Sequence, residues 1–358
     1  MDSKREVVID CDPGIDDALA LMLALGSKDI RVVGITVVCG NVGAALGTVN
    51  VCRILELMGR TDIPVIMGAA KPLNKPLVTA QDTHGMDGLG EAGYGCMDET
   101  LLKRGGWKSY CSQVSEVVFC EDEADNPAAH WLVQKFASTP GLSLIALGPM
   151  TNIASAMQMD LEAFKNMGHF VSMGGSYKSH GNCSPVAEFN YWADPDAAAW
   201  VYANSPVKIH MVGLDVTRRI VLTPDICSLI GRFDDPKAEF ILNITKFYTD
   251  FHWHQEKIIG CVINDPLAVA YMIGLCRQTA EEPTLCSGFE SYVAVQTEGL
   301  GVGQTIVDGY RFWNRPANAV VLTDTDPKVF MSLFLKTIFP SYSHWIDIGM
   351  KEVYHHET

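Results

Sequence analysis

The stretch Val7-Val8-Ile9-Asp10-Cys11-Asp12-Pro13-Gly14-Ile15-Asp16-Asp17 constrains this chain more than any other, because four carboxylates fall within eight residues at the end of an apolar run. Charges so dense beside a buried strand repel one another and resist leaving water. The local pattern predicts a strand over 6–12 and a turn at Pro13-Gly14. A helix then runs from Ile15 through Ala18, Leu19, Leu21, Met22 and Leu25, stopping near Gly26. Alternation puts Asp10 and Asp12 on one face of the strand's end. Asp16 and Asp17 fall in the first helical turn, where the helix dipole favours anions. Ligands of parallel α/β sheets bind beyond the carboxyl ends of the strands, so the acids stand where a site is expected. Helix capping and a solvated turn account for one such Asp. Four converging acids call for a hard dication, Ca²⁺ or Mg²⁺, which prefers carboxylate oxygens.

Strand-like and helix-like segments then alternate along the chain. This predicts an α/β fold: a single domain over 1–358 with a mostly parallel, open, Rossmann-like central sheet flanked by helices. Further strands are expected at 31–38, 63–67, 142–147, 169–173 and 207–213. Helices are expected at 43–58, 126–138, 151–158, 194–203, 237–256 and 265–275. Segments 292–296 and 304–307 read as a hairpin, and 326–338 as a last helix. The Gly- and Pro-rich segment 68–98 reads as a long loop of the kind that lines binding sites. The acidic run Glu121-Asp122-Glu123-Ala124-Asp125 reads as solvated and helix-capping.

The formal net charge of −15 disfavours nucleic acid and anionic membrane surfaces as partners. No apolar run approaches the length of a membrane span, and the opening residues lack a signal-peptide pattern. The eleven cysteines are scattered without CxxC spacing, so they read as reduced thiols of a cytoplasmic protein.

Polar residues gather after other predicted strands. Cys39-Gly40-Asn41 follows the second, Leu147-Gly148-Pro149-Met150-Thr151-Asn152 follows the strand at 142–147, and Gly174-Gly175 follows the next. Asn264-Asp265-Pro266 precedes a helix. Asn41 alone reads as a turn residue and Asp265 alone as a helix N-cap; their shared position at one edge of the sheet is what points to a site. Asn182, Glu188 and Asn190 form a hydrogen-bonding group in a loop. They read either as donors and acceptors for sugar hydroxyls or as turn-forming residues.

These residues resemble the inosine-uridine-preferring nucleoside hydrolase family. The likeness runs over almost the whole chain. It joins Asp10-Cys11-Asp12-Pro13-Gly14-Ile15-Asp16-Asp17, Gly40-Asn41, Thr83-His84-Gly85 and Leu147-Gly148-Pro149-Met150-Thr151-Asn152. It continues through Met173-Gly174-Gly175, Ala187-Glu188-Phe189-Asn190, Asp194-Pro195, Gly213-Leu214-Asp215-Val216-Thr217 and Asn264-Asp265-Pro266. The resemblance implies Ca²⁺-dependent hydrolysis of the N-glycosidic bond of ribonucleosides to ribose and free base, in a homo-oligomer. It implies Asp12, Asp17, Asp265 and the Leu147 carbonyl as metal ligands, with Asp12 also the general base. Asp16 and Asn41 would hold ribose hydroxyls near the metal. Asn182, Glu188 and Asn190 would hold the rest of the sugar, and His84 and Phe189 would lie near base or ribose. Asp10 would orient the ligating acids. Cleavage through a ribosyl cation fits an acid-lined site, since the carboxylates favour the developing positive charge.

One position departs from the pattern. Where some members carry a general-acid His directly before the last metal Asp, this chain has Asn264, which has no proton to give at neutral pH; it is placed with Asp12 among the catalytic positions, as a hydrogen-bonding partner of the departing base. His252, Trp253 or His254 on the preceding helix would be the stand-in, with His254 placed in the substrate site. Two rival readings remain. A haloacid dehalogenase-type phosphatase would use Asp10 and Asp12 as a DxD pair, but Pro13-Gly14 does not match its pattern. A nucleoside-binding protein without turnover would explain Asn264 but not the full set of metal ligands.

Overall fold

The computed structural model describes residues 4–120, 122, 124–277 and 285–354. In chain order the strands begin with β1 (Arg5–Cys11), β2 (Ile30–Val37), β3 (Val65–Met67) and β4 (Val117–Val118). Then come β5 (Ser143–Ala146), β6 (Phe170–Met173) and β7 (Ile209–Val212). β8 (Val221–Leu222) and β9 (Cys261–Val262) pair only with each other. β10 (Cys286–Ser291) is followed by the hairpin of β11 (Val293–Val295) and β12 (Thr305–Val307), and β13 (Ala319–Thr325) closes the series. Nine of these strands form one sheet in the order β10-β13-β7-β6-β5-β1-β2-β3-β4. Every pairing in it is parallel except that of β10 with β13.

The order reverses beside β1. The chain walks outward through β2, β3 and β4, then crosses to β5 on the other flank of β1. Such a reversal opens a crevice at the carboxyl ends of the two diverging strands. β1 is buried on both faces. Val7, Ile9 and Cys11 belong to the core shared with α1 (Ile15–Gly26) and α2 (Ala44–Leu57), whereas Val8 packs in the opposite core with Leu144, Ala146 and Ile153. Two-sided burial explains why β1 reads as an unbroken apolar run until Asp10.

The mostly parallel sheet flanked by helices and the hairpin agree with expectation. The differences are local. β3 is shorter than 63–67, and β4, β8, β9, β10 and β13 were not anticipated, being two residues long or interrupted by polar residues. A further helix, Ser343–Val353, follows Pro327–Ile338, so the latter is not the last. Asn126 caps the helix Pro127–Ser138 by accepting from the Ala129 N–H, in place of the acids before it. Glu121 and Glu123 of that acidic run lie outside the described residues, as do 1–3 at the start of the chain. The loop 68–98 contains one short helix, α3 (Gln81–His84). The cysteines are all free thiols. Among the described residues no helix is long and apolar enough to cross a membrane.

Candidate active site

The β1–α1 turn delivers its acids to the carboxyl end of the sheet at the strand-order reversal. Asp17 sits at the third position of α1. Its two oxygens accept from the backbone N–H groups of Asp12 and Gly14, and Asn41 Nδ2 donates to the second at 3.0 Å. Capping is therefore part of its role: Oδ2 already accepts two donors, while Oδ1 accepts one. Asp12 Oδ2 accepts the Asn41 N–H at 2.7 Å, while Asp12 Oδ1 is buried without any partner. Asp10 Oδ1 accepts from Thr36 and from Asn152 Nδ2, and Asn152 also donates to the Val37 carbonyl and accepts the Ala69 N–H. Asn152 thus stitches β1, β2 and the loop after β3 together behind the acids.

The glycines around this floor are dictated by the Asp12 carboxylate. A Cβ on Gly40 would lie 2.0 Å from Asp12 Oδ2, and one on Gly148 would lie 2.4 Å from Asp12 Oδ1. Neither contact leaves room for a side chain.

Asp16, Asp17 and Asp265 each offer an oxygen within 4.8 Å of the others, and all three are buried. Among the described residues it is the only group of three or more His, Cys, Asp or Glu side chains spaced to hold a metal ion. It joins Asp16 to Asp17 and Asp265; Asp12, whose Oδ2 accepts the Asn41 N–H, is not part of it. Burial pushes the Asp12 and Asp265 carboxyls well above the ordinary range, and neighbouring carboxylates push them further. Burial and the charge of Asp16 raise Asp17 to about 6, and burial raises Asp10 to about 7. A buried all-oxygen cluster, with the unpartnered Asp12 Oδ1 and Asp10 Oδ2 beside it, is the kind of donor set that a hard divalent cation fits.

A cavity of about 390 Å³ opens above this floor. Asp16, Asn41, Leu147, Glu188, Asn190 and Asp265 line its base. The Leu147 carbonyl accepts from Asn190 Nδ2 at 2.7 Å, which also donates to the Met173 carbonyl. Glu188 caps the short helix Phe189–Ala193. Its oxygens accept the N–H groups of Gly175, Asn190 and Tyr191, and burial raises its carboxyl to about 7. Asn182 Oδ1 accepts the Phe189 N–H. Loop structure and cavity lining thus coincide in Asn182, Glu188 and Asn190.

The upper wall comes from the helix Pro236–Glu256 and from α3. His84 Nδ1 accepts the Ile15 N–H at 3.1 Å, which places the proton of the neutral ring on Nε2. Tyr248 stacks near it with ring centroids 5.1 Å apart and donates its hydroxyl to Asp16 Oδ2 at 3.2 Å. His252 Nδ1 lies 2.8 Å from the Tyr248 carbonyl, so it carries the proton and Nε2 is the open nitrogen. Burial lowers the affinity of both imidazoles for a second proton.

Asn264 lines the cavity, where its Nδ2 donates to Asp16 Oδ2 at 3.1 Å. One expectation changes. His254 is exposed and absent from the cavity wall, as is Trp253; one helical turn's geometry turns His252 inward and rotates its neighbours out. Sequence reasoning missed Tyr248, Phe251 and Gln255. With His252 they form an i, i+3, i+4, i+7 stripe on one helix face, a spacing that also describes ordinary core packing.

Comparison with known proteins agrees with this geometry. The sequence profile described as "Inosine-uridine preferring nucleoside hydrolase" matches residues 7–332. The chain is 32% identical over 340 residues to the pyrimidine-specific ribonucleoside hydrolase RihA of Photobacterium profundum, covering 93% of this chain and 98% of that one. It is 32% identical to a probable uridine nucleosidase 2 of Arabidopsis thaliana, covering 85% and 86%. Among solved structures, a plant nucleoside hydrolase, PpNRh1, superimposes with a TM-score of 0.78 at 28% identity, over 94% of this chain and 99% of that one. A purine-preferring ribonucleoside hydrolase from Gardnerella vaginalis gives 0.78 at 27% identity, over 96% and 100%. With the acid-floored crevice at the strand-order reversal and these matches along nearly its whole length, the chain belongs to the inosine-uridine preferring nucleoside hydrolase family and is a nucleoside hydrolase.

Proposed function

We propose that this enzyme hydrolyses ribonucleosides to ribose and free base in a Ca²⁺-dependent reaction, with Asp12 as general base. The observation that carries this reading is the buried Asp12, whose Oδ1 has no partner, beside the Asp16, Asp17 and Asp265 group under a nucleoside-sized cavity. Asp17, Asp265, Asp12 or Asp16 and the Leu147 carbonyl are the oxygens that would hold the cation. When bound, Ca²⁺ supplies positive charge that offsets these acids and lowers the pKa of nearby water.

The remaining chemistry falls to the chain's own residues. Asp12 Oδ1 accepts the proton of the attacking water, whose oxygen bonds to the anomeric carbon as the C–N bond breaks towards the base. Asp16 and Asn41 hold the ribose hydroxyls nearest the acids. Asn182, Glu188 and Asn190 hold the remainder of the sugar, and Phe189 covers it. The carboxylates of Asp16 and Glu188 favour the cationic ribosyl centre. Asp10, locked by Thr36 and Asn152, keeps Asp12 oriented from behind. Tyr248 and Asn264 fix Asp16. His84 offers an Nε2–H donor on the base side, and His252 takes the place first given to His254.

The curated relatives at 31–32% identity are named for uridine and pyrimidine ribonucleosides, which makes uridine the first substrate to test. The test is reducing-sugar release from uridine, cytidine, inosine and guanosine after chelation and after Ca²⁺ is added back. We expect ribose from uridine, lost on chelation and restored by Ca²⁺. Absence of ribose from all four nucleosides, or release indifferent to chelation, overturns the reading.

A further inference from the structure

The short helix Leu214–Thr217, which follows β7, holds one wall of the cavity from two points. Asp215 accepts the consecutive backbone N–H groups of Tyr177, Lys178 and Ser179 at 2.6, 2.7 and 3.0 Å. Arg218, at the helix's end, donates to the Ser179 hydroxyl, the His180 carbonyl and, at 3.0 Å, the Gly181 carbonyl. Five consecutive residues, 177–181, are therefore gripped immediately before Asn182. The same guanidinium reaches the other wall: Arg218 Nη2 lies 3.6 Å from Glu256 Oε1 in the last turn of the helix that carries Tyr248, Phe251, His252 and Gln255. Arg218 and Glu256 both line the cavity, with side chains 18% and 25% exposed.

We infer that Arg218 is a positioning residue that spans the mouth of the cavity, fixing the sugar-side loop of Asn182 against the base-side helix through Glu256. The inference rests on the nucleosidase reading of this cavity and says what sets its width. A planar guanidinium suits the task, because its fork satisfies several fixed acceptors at once while a face of the charge remains for a carboxylate. Arg218 contacts neither the acids of the floor nor Asn264 in any hydrogen bond given by the structure, so its loss displaces the walls and leaves the reacting groups in place. The expected signature is a rise in KM with kcat nearly unchanged.

The test is a double-variant cycle on the full chain with Arg218→Met, Glu256→Gln and the pair. Nucleoside turnover, ribose binding by calorimetry and tryptic cleavage after exposed Lys178 are the readouts. Arg218→Met should raise KM and the ribose dissociation constant about 10-fold, with kcat within about twofold. Glu256→Gln should raise both about threefold, since a partly exposed ion pair contributes modestly. Because the two residues form one span, the pair should be no worse than Arg218→Met alone. Cleavage after Lys178 should accelerate in Arg218→Met and recover partly in Arg218→Lys, which also serves if the Met variant does not fold. Multiplicative effects in the pair, a fall in kcat with KM unmoved, or unchanged cleavage after Lys178 would overturn the inference. If the wild-type protein releases no ribose from any nucleoside, the functional reading fails instead, and the binding and cleavage readouts still decide the span.

Discussion

The floor of the cavity and its upper wall are built on opposite principles. The floor is assembled from strand ends and one capped helix start, and its acids are fully buried and held by backbone N–H groups and by Asn41, Asn152 and Thr36. The upper wall is a face of one long helix and a short loop helix, and it meets the floor through Tyr248 on Asp16 and His84 on the Ile15 N–H. A floor of this kind cannot shift without exposing or unpairing charge. A helix face can exchange side chains at little cost in fold. Under the proposed function, the chemistry common to all nucleosides is thereby separated from the part that differs between bases.

The largest test of this division uses the substrate. If the floor holds the 2′-hydroxyl, removing it leaves buried polar groups unpaired, and kcat/KM for 2′-deoxyuridine should fall by on the order of 10⁴-fold against uridine. Comparable values for the two would place the sugar elsewhere. Next in size, Asp12→Asn should lower kcat about 10³-fold, the scale of a lost general base. Elemental analysis should show weakened retention of Ca²⁺ in the same variant. Normal turnover would remove Asp12 from the mechanism.

The junction between the regions gives the third test. Asn264→Ala and Tyr248→Phe should each lower kcat/KM about 10-fold, on uridine and on p-nitrophenyl riboside alike, because both residues donate to Asp16. A loss confined to uridine would assign Asn264 to the departing base and blur the division. Within the upper wall, His252→Ala should change the ratio of uridine to inosine kcat/KM by roughly 5-fold and leave the 2′-hydroxyl discrimination intact.

The smallest test asks what burial does to a titrating group outside the acidic floor. His210 on β7 lies in partly buried surroundings with the Tyr271 hydroxyl 2.9 Å from Nδ1 and the His169 ring 6.0 Å away, and Glu290 and Lys208 are the charges near it. Burial, reinforced by His169, lowers it to about 4. The unfolded chain then binds a proton that the native chain refuses, so stability falls as pH drops from about 6.5 to 4. His210→Gln should flatten that loss in Tm between pH 7 and pH 5. An unaltered slope would show that burial does not control His210.

The floor was legible in the sequence because its parts are short and contiguous: one strand–turn–helix unit and the residues just past three other strands. Asp10, Asp12, Asp16, Asp17 and Asn41 converge because the adjacent strands β1 and β2 end side by side, and Asp265 joins them from the start of the helix after β9. The wall was not, for a geometric reason. His252 and His254 differ by about 200° around a helix, and nothing local says which face turns inward. The reach of Asn264 to Asp16 depends on how the β9 segment approaches α1, a contact 248 residues apart in the chain. In the fold, central strands with two-sided burial announced themselves, whereas β13 and β10, with Asp324 and Glu290 among their residues, did not.

The contact of Asp12 with Gly40 and Gly148 has a further reach. Two strand ends close on this carboxylate so tightly that a single carbon on either would collide with it. The position therefore selects for length as strictly as for charge. Glutamate carries the same charge and the same two oxygens, yet its extra methylene has no volume to enter, so the most conservative replacement by charge is among the worst by size. A catalogue of tolerated substitutions here would rank residues by reach, and any redesign of this position would have to begin by moving a strand.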